Sequence, residues 1–349
     1  MNPVLLATLF PAAVLLDALL GEPPAKYHPV CLMGTVAQRS EALLRGLAKR
    51  KKASDSTLFV AGMLAALLSA LPFALAAYLL VWLGTGIGLD WGLALCCVAL
   101  CLAPRSLGEH ARRVAVPLEQ GDLESARQAV SMLVGRNTAC LDAHGIARAC
   151  VESVGENVTD GVLATLFWAG IGGLVAGLPG AATAAVFHRV SNVLDALWGK
   201  RNATYRRFGT WAARTDDVLN AFPARLSLPI IALASALDAF LWSPTAPHRL
   251  KNASATLLCT LRTGWRDRYA HASPNSAWSE AAFAGALDLK LGGPVYYKDL
   301  FAPYPFMGTG RLEATPQDIR KSIRLMWLST LLFALCESVA LYALLLLPI

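Results

Sequence analysis

The stretch RACVESVGENVTDGVLATLFWAGIGGLVA, residues 148–176, joins a charged segment directly to an apolar one. If residues 148–160 form a helix, charged side chains recur every fourth residue along one face, at Arg148, Glu152, Glu156 and Asp160. Three carboxylates beside a single cation repel each other unless something positive binds between them. The stripe is therefore a candidate site for a divalent metal, a nucleotide–metal complex or acid–base chemistry at a membrane surface.

The composition of the whole chain is that of a membrane protein. Of its 349 residues, 55% are hydrophobic and 16% charged, whereas soluble domains average about 25% charged residues. The net charge of +7 is typical of basic cytoplasmic loops, and no basic stripe interleaved with aromatic residues indicates nucleic-acid binding. The eight cysteines form no CxxC pair and no Cys/His cluster at zinc spacing, so we expect reduced thiols.

Hydropathy predicts an all-α, polytopic integral membrane protein with four to six membrane-embedded helices, forming one domain over residues 1–349. The apolar segments are residues 3–20, 57–83, 91–104, 161–187, 226–243 and 325–348. The polar stretches between them are residues 21–56, 105–160, 188–225 and 244–324. By the positive-inside rule we expect these stretches to be helical, functional loops on the cytoplasmic side.

Two apolar segments are poor simple spans. A single crossing by residues 161–187 would place the basic stretch after it outside, so we predict a hairpin broken at Gly177-Leu178-Pro179-Gly180, with both ends cytoplasmic. Pro229 and Asp238 interrupt residues 226–243, which we expect to be re-entrant or buried against the other helices.

Polar motifs near the first loops supply further candidates, each with a structural alternative. Asp17 lies near the end of the first apolar segment, where a carboxylate is usually functional, although it could simply cap the helix. His28 precedes a proline, and a lone histidine is more often structural than catalytic. Gly135 and Arg136 could present N–H groups to an anion, although Gly-Arg-Asn is also an ordinary helix terminus.

Two acidic motifs follow the predicted hairpin. His188, Asn192 and Asp195 fall on one helical face and could complete a metal or substrate-amide site, although a solvated face is the alternative. Asp216 and Asp217 are adjacent, as in many Mg²⁺ sites of phosphate chemistry, although Asp216 could instead cap a helix.

The last motif combines SPN at residues 273–275, Glu280 and LGGP at residues 291–294, a composition typical of a ligand-binding turn. The chain contains no GxxxxGK[ST] motif, no GxGxxG after a strand, and no GxSxG, HExxH or haem motif. If the protein uses ATP, it binds ATP in a way that short motifs do not reveal.

These blocks, in this order, resemble the CobD/CbiB family of cobalamin biosynthesis, the adenosylcobinamide-phosphate synthases. The resemblance covers nearly the whole chain. It rests on DALLGEPP and HPV (17–24, 28–30), VGRNT (134–138), VESVGENVTDGV (151–162), NVLD (192–195), GK and YRRFG (199–200, 205–209), ARTDDVLNAFPARL (213–226), and SPN with AGALDLKLGG (273–275, 284–293). The chain departs from the family pattern at Asn137, where the family usually has Asp, and in ATLFW, NVLD and WGK, where it has APLFW, NTLD and GYK.

The resemblance implies an ATP-dependent amide ligase that joins adenosylcobyric acid to 1-aminopropan-2-ol, expected as its O-phosphate, and so makes adenosylcobinamide phosphate. It implies Mg²⁺ as cofactor, ATP as co-substrate, and the bacterial inner membrane as location, with the active site facing the cytoplasm. The expected partners are the corrinoid, the amino alcohol or its phosphate, membrane lipid and other enzymes of the pathway, but no nucleic acid.

The candidate residues suit this chemistry. Phosphoryl transfer from ATP would give an acyl phosphate that the neutral amine attacks, and carboxylates would hold the Mg²⁺ of the triphosphate. The candidate catalytic residues are Asp17, Glu152, Glu156 and Asp160, and the candidate metal ligands are Glu156, Asp160, Asp195, Asp216 and Asp217. The candidate substrate- or phosphate-binding residues are His28, Arg136, Asn157, Asn192, Lys200, Arg225 and Asn275.

Two other classes of function are alternatives. A transporter or channel would use Asp17, the broken hairpin and Asp238 as an ion path, although the polar motifs lie in predicted loops and no inverted repeat is visible. A non-catalytic membrane sensor would resemble the AmpE-like proteins, distant relatives of the family, and would be expected to have lost several acidic motifs that this chain keeps.

Overall fold

Helices make up most of the fold, as seen in a computed structural model that describes residues 2–50, 54–200, 202–242, 249–297 and 300–347. The helices are α1 (Pro3–Leu20), α2 (Pro29–Arg50), α3 (Asp55–Thr85), α4 (Asp90–Ala99), α5 (Pro104–Glu119), α6 (Leu123–Ser131), α7 (Ala143–Val158), α8 (Ala164–Trp198), α9 (Thr210–Leu241), α10 (Arg249–Asp267), α11 (Ser276–Leu287) and α12 (Pro316–Leu346). The predicted all-α class is confirmed.

The strands in the described part of the chain are two or three residues long and form two antiparallel pairs. They are β1 (Leu291–Gly292), β2 (Val295–Tyr297), β3 (Leu300–Ala302) and β4 (Phe306–Met307). In the first pair Leu291 lies opposite Met307, and in the second Val295 lies opposite Ala302. These pairs are loop structures, and the helices carry the fold.

Six helical stretches among the described residues are long and apolar enough to cross a membrane. They are Pro3–Leu20, Asp55–Thr85, Asp90–Glu119, Ala143–Trp198, Thr210–Leu241 and Pro316–Leu346. This number is the upper end of the predicted four to six, and it confirms a polytopic membrane protein. The assignment of the intervening stretches to the cytoplasmic side stays a prediction.

Helix α3 shows how such a helix divides its surface. Its buried positions are mostly small residues, among them Ala61, Ala65, Ala66, Ala70, Ala74 and Ala77. Its exposed positions are mostly apolar, and leucine is the commonest residue among them, as at Leu64, Leu68, Leu71, Leu75 and Leu79. Small residues let helices approach closely inside a membrane protein, and leucines are as apolar as the lipid around them. The pattern is therefore typical of a helix in lipid.

Helix α8 is the predicted hairpin. Its helical geometry breaks at Ala176 and at Gly177, where φ is +65° and favours glycine. Across the break, a Cβ atom added to Gly172 would lie 2.2 Å from the carbonyl oxygen of Gly180. Thr165 Oγ1 and His188 Nδ1, far apart in sequence, are 3.0 Å apart. The two arms therefore lie side by side, which confirms the hairpin.

Three predicted apolar segments have different bounds from the helices in which they lie. In segment 91–104 the helix α4 ends at Ala99, and Pro104 begins the next helix, where its missing N–H costs nothing. Segment 161–187 is longer: α8 extends to Trp198. Segment 226–243 belongs to the continuous helix α9, which begins at Thr210 inside a predicted loop. Hydropathy missed this start because polar residues are buried there.

The remaining predicted segments also correspond to helices, although α12 begins at Pro316, inside a predicted loop. Segments 3–20, 57–83 and 325–348 correspond to α1, α3 and α12, and the predicted loop 105–160 contains helices that turn at Gly121, where φ is +76°. The predicted segment ends at residues 243 and 348 lie outside the described residues, as do residues 51–53, 201, 244–248 and 298–299 of the predicted loops.

The chain divides into two compact units, each assembled from distant stretches of sequence. Unit 1 comprises Met1–Ala103, Ala164–Asn220 and Ala334–Ile349, and unit 2 comprises Pro104–Leu163 and Ala221–Phe333. In unit 1, Leu6 and Phe10 of α1 are fully buried, and Leu6 packs against the hairpin at Gly173. In unit 2, helices α7 and α11 are buried along most of their length. The single domain expected over residues 1–349 stays a prediction.

The close approach of the two hairpin arms predicts that replacing glycine by alanine lowers stability at Gly172 but not at Gly92, which lies outside the hairpin. Gly172→Ala should destabilise the protein by about 1–3 kcal/mol, because its Cβ would overlap the opposite arm. Gly92→Ala in α4 should be neutral or stabilise by up to about 1 kcal/mol, because nothing lies within 4 Å and alanine favours helix. Thermal unfolding in detergent measures both changes. Equal stability of the two variants would contradict the side-by-side arms.

Candidate functional site

Helix α7 carries the acidic stripe into the interior of unit 2. Asp142 caps the helix, since its carboxylate accepts the N–H of Gly145 at 2.7 Å. The helix ends at Val158, and a π-helical turn over Thr159–Leu163 follows, so Asp160 leaves the regular spacing. The stripe is therefore regular for Glu152 and Glu156, while Asp160 lies on a turn of its own.

Glu152 is buried and fully engaged. Its Oε2 accepts Arg136 Nη2 at 2.5 Å, and its Oε1 accepts the backbone N–H of Gly292 at 2.7 Å. Gly292 has φ of +71°, which favours glycine and turns this N–H toward the carboxylate. Arg148, the cation of the stripe itself, donates instead to the carbonyl of Leu312 at 2.9 Å. The cation paired with Glu152 therefore comes from the VGRNT motif.

Glu156 and Asn157 differ in their surroundings. Glu156 is partly buried, and its Oε1 accepts the Ser276 hydroxyl at 2.9 Å. Asn157 is exposed, and its amide donates to the carbonyl of Ser153 at 2.8 Å and to the Ser153 hydroxyl at 3.2 Å. The acid therefore contacts the SPN segment, whereas the amide is occupied within its own helix.

Glu280 is an acidic residue of this region that belongs to the SPN–Glu280–LGGP block but is not among the candidate catalytic or metal-binding residues. It is 4% exposed on helix α11, and its Oε1 has no hydrogen-bond partner among the described residues. Burial, and then the carboxylates of Glu156 and Glu152, raise the pKa of Glu280 well above its usual value, although Arg136 lowers it. Glu280 therefore holds a proton more tightly than an exposed glutamate.

A cavity of about 130 Å³ lies at the centre of these groups. Its lining includes residues 134–136, Glu152, Glu156, His271, Glu280, Gly292, Gly293 and Tyr304. Three sequence motifs, VGRNT, VESVGENVTD and the SPN–Glu280–LGGP block, thus meet at one place. His271 and Tyr304, whose rings are 5.9 Å apart, were missed because neither belongs to a motif.

Unit 1 holds a second polar group, inside membrane-length helices. Fully buried His188 contacts Thr165 through Nδ1 at 3.0 Å and the Asn220 amide oxygen through Nε2 at 3.2 Å. The Asn220 amide in turn donates to Asp216 at 2.9 Å. The Asn192 side chain hydrogen-bonds to the same Asp216 carboxylate. The carboxylates of Asp195 and Asp217 lie close enough to interact with it electrostatically. Two motifs predicted separately therefore form one network.

Asp17 and His28 line another pocket of unit 1, with a volume of about 150 Å³. Both are buried, and His28 Nε2 lies 3.8 Å from a carboxylate oxygen of Glu22. Burial lowers the pKa of His28, opposed by Glu22 and assisted by Arg189. The two residues therefore line the same pocket.

The other candidates are distributed over the surface and the interior. Lys200 is exposed directly after α8. Arg225 is exposed on α9, with its guanidinium carbon 5.2 Å from the centroid of the Trp278 ring. Asn275 is buried at the start of α11, and its backbone N–H donates to Ser273. Their proposed binding roles stay predictions.

A self-contained metal site is not found in the described part of the chain: no three or more His, Cys, Asp or Glu side chains there are arranged to hold an ion. Mg²⁺ commonly takes one or two carboxylates and completes its shell with phosphates and water. The acidic residues of either unit therefore fit Mg²⁺ only as part of a shell that phosphate oxygens complete.

Glu280→Gln should change the pH dependence of stability. Because the folded protein binds the Glu280 proton more tightly than the unfolded chain, stability is lost as pH rises above the usual pKa of 4.5. Glutamine cannot ionise, so the variant should gain about 1.4 kcal/mol per pH unit relative to wild type, up to the folded pKa. Unfolding temperatures at pH 5, 6 and 7 measure this.

Glu124→Gln is the matched control, since the Glu124 side chain is 72% exposed. It should follow the wild-type pH dependence throughout. If Glu280→Gln also follows wild type, Glu280 is ionised in the folded protein and the assignment of its proton is wrong.

Comparison with known proteins shows the family of this chain. The family model described as CobD/Cbib protein matches residues 10–326. Cobalamin biosynthesis protein CobD of Klebsiella pneumoniae is 37% identical over 91% of this chain and 92% of its own, and CobD of Stutzerimonas stutzeri is 41% identical over 90% and 91%. CbiB of Salmonella typhimurium is 36% identical over 93% and 94%. No solved structure matches the chain. The chain therefore belongs to the CobD/CbiB family and has a role in cobalamin biosynthesis.

Proposed function

We propose that this protein is an ATP-dependent amide ligase. It joins the free carboxylate of adenosylcobyric acid to the amine of 1-aminopropan-2-ol, taken as its O-phosphate, and so forms adenosylcobinamide phosphate. The observation that carries the proposal is the meeting of Arg136, Glu152, Glu156 and Glu280 at one cavity in a chain of this family.

The reaction needs activation of one partner and deprotonation of the other. A carboxylate does not condense with an ammonium ion in water, so a phosphoryl group from ATP first converts the carboxylate to an acyl phosphate. The neutral amine then attacks the acyl carbon, the C–N bond forms, and phosphate leaves. The site must therefore bind phosphate oxygens, hold both substrates in line and accept a proton.

Arg136 is the group best placed to bind an anion at the cavity. Glu152 holds its guanidinium at 2.5 Å, and its Nε is buried without a hydrogen-bond partner among the described residues. A guanidinium fixed on one side keeps donors for a phosphate or carboxylate oxygen on the other. Glu152 is thus a positioning residue, because both of its oxygens are already used.

Glu280 is the group best suited to the proton of the amine. It lines the cavity, and a buried carboxylate with a raised pKa is a stronger base, once ionised, than an exposed one. After Glu280 has released its own proton to solvent, its Oε1, which has no other partner in the described part of the chain, would accept the proton that the ammonium loses.

Glu156 and Asp160 would hold Mg²⁺ together with phosphate oxygens. The negative charges of both carboxylates raise the pKa of Glu280, so both lie near it in unit 2. Bound Mg²⁺ would neutralise charge on the transferred phosphoryl group. Asp195, Asp216 and Asp217 of unit 1 are the other proposed ligands, and Asp17 and His28 are proposed to contact substrate.

The proposed location is the bacterial inner membrane with the site on the cytoplasmic side, where ATP is available. The six membrane-length helices and the bacterial relatives support a membrane protein of bacteria. The basic stretches between the helices support the cytoplasmic orientation.

A product assay tests the ligase. Purified protein in detergent receives adenosylcobyric acid, aminopropanol phosphate or free aminopropanol, ATP and Mg²⁺. Wild type should form product only with ATP. Glu280→Gln should lower kcat by about 100-fold or more, the usual contribution of a positioned base. Glu156→Gln and Asp160→Asn should raise the Mg²⁺ concentration needed for half-maximal rate, and exposed Glu124→Gln should match wild type.

Three outcomes would each change the assignment. Product that survives all three unit 2 substitutions would keep the ligase but move its site, and Asp216→Asn and Asp17→Asn would then be assayed. Activity without added nucleotide would contradict the ATP requirement. No product from folded protein with either amine would contradict the ligase and return attention to transport and sensing.

A further inference from the structure

Unit 2 carries a cluster of aromatic rings and guanidinium groups, here called the Trp265 platform. Its members are Arg225, Trp265, Arg268, Tyr269 and Trp278. The Trp265 and Trp278 rings meet edge to face with centroids 5.7 Å apart. The Arg268 guanidinium carbon lies 4.2 Å from the Trp265 centroid and 4.5 Å from that of Tyr269. The Arg225 guanidinium carbon lies 5.2 Å from the centroid of the Trp278 ring.

The positive charges of the platform have no carboxylate partner among the described residues. Both arginines donate to backbone carbonyls, of Ala221 and Trp265, and neither forms an ion pair with a carboxylate among the described residues. Trp278 is 5% exposed, yet its Nε1–H has no acceptor there. Two guanidinium groups that no described carboxylate neutralises are suited to an anion.

The same cluster presents aromatic surface to the outside. Trp265 is 59% exposed and Tyr269 is 71% exposed. Exposed aromatic rings beside arginines are a common arrangement for stacking a base, and the arginines then bind its phosphates. A ligand with a flat ring at one end and several negative oxygens at the other would satisfy both halves of the platform.

The platform continues into the cavity along the chain. Ala270 and His271, which follow Tyr269 directly, line the cavity, as does Glu280, two residues after Trp278. The cavity holds about 130 Å³, whereas sites that enclose a drug-sized ligand measure about 300–1,000 Å³. A nucleotide would therefore lie outside the cavity and extend only its terminal phosphate toward Arg136.

We propose that the Trp265 platform binds a purine nucleoside triphosphate, with the base on Trp265 or Tyr269 and the phosphates on Arg268 and Arg225. The inference rests on the proposed function, which requires ATP in a chain without a P-loop. It supplies the nucleotide site that the sequence motifs did not reveal.

An anionic lipid headgroup is the other source of phosphate that such a surface could meet. The exposed rings of Trp265 and Tyr269 favour the nucleotide, because a purine base stacks on an aromatic ring, whereas a lipid headgroup has no flat ring to stack. The binding measurements below distinguish the two sources.

Equilibrium binding of a non-hydrolysable ATP analogue to the detergent-purified full chain, with Mg²⁺ present, tests the site without requiring turnover. Trp265→Leu and Arg268→Gln should each weaken binding about tenfold, and Trp265→Phe should retain most of it. Two variants serve as matched controls. Trp242→Ala removes another ring that is 53% exposed and lies beneath an arginine, Arg324, and Arg262→Gln removes an exposed arginine of α10. Both controls should stay within about twofold of wild type.

Unfolding temperatures verify that each variant is folded, and if Trp265→Leu does not fold, Arg268→Gln provides the test. Wild-type affinity in folded Trp265→Leu and Arg268→Gln would overturn the proposal. So would loss of co-purified phosphatidylglycerol from these variants with unchanged nucleotide affinity, since that result would assign the platform to lipid.

The product assay separates this inference from the ligase itself. Product formation with an unchanged KM for ATP in both variants would reject the platform and leave the ligase standing. Nucleotide binding that depends on the platform, in a protein that makes no amide product, would support the platform and reject the ligase.

Discussion

The buried carboxylates of unit 2 are the constraint on which the candidate site depends. Moving a carboxylate out of water costs several kcal/mol unless a cation and hydrogen-bond donors replace the solvent. Glu152 meets this cost with Arg136 and the Gly292 N–H, which come from segments far apart in sequence. Folding of unit 2 therefore has to bring the VGRNT loop and the β1 strand onto α7, and the cavity forms where they meet.

Glu280 is buried in a different way, as a protonated and uncharged group. No cation among the described residues forms an ion pair with it, so the interior favours its protonated form, and the neighbouring acids strengthen that preference. Gly155 permits this arrangement, because a Cβ atom there would lie 3.2 Å from the Phe283 ring of α11. A close contact between two helices thus places a proton-binding group beside Arg136, which is the pairing that the proposed chemistry uses.

Unit 1 shows how polar side chains can lie within membrane-length helices. His188, Asn220 and Asp216 satisfy one another in a chain of hydrogen bonds, and the hairpin of α8 brings Thr165 to the same network. Polar groups at such depth are costly unless paired, and paired groups of this kind commonly mark functional sites. The glycines at residues 172 and 180 let the arms approach closely enough for the network to form.

Hydropathy and motif order by themselves determined the class of the protein, its family resemblance, the broken hairpin and most of the residues at the cavity. These features follow from local composition: long apolar runs must be helical in lipid, and Gly177 with Pro179 disfavours an unbroken helix. The start of α9 escaped prediction because buried polar residues lower local hydropathy just as exposed ones do. Only the tertiary structure decided that Arg136 rather than Arg148 pairs with Glu152, that Glu280 shares the cavity, and that two motifs of unit 1 form one network. Those pairings join residues distant in sequence, and helical periodicity carries no information about which distant side chains will meet.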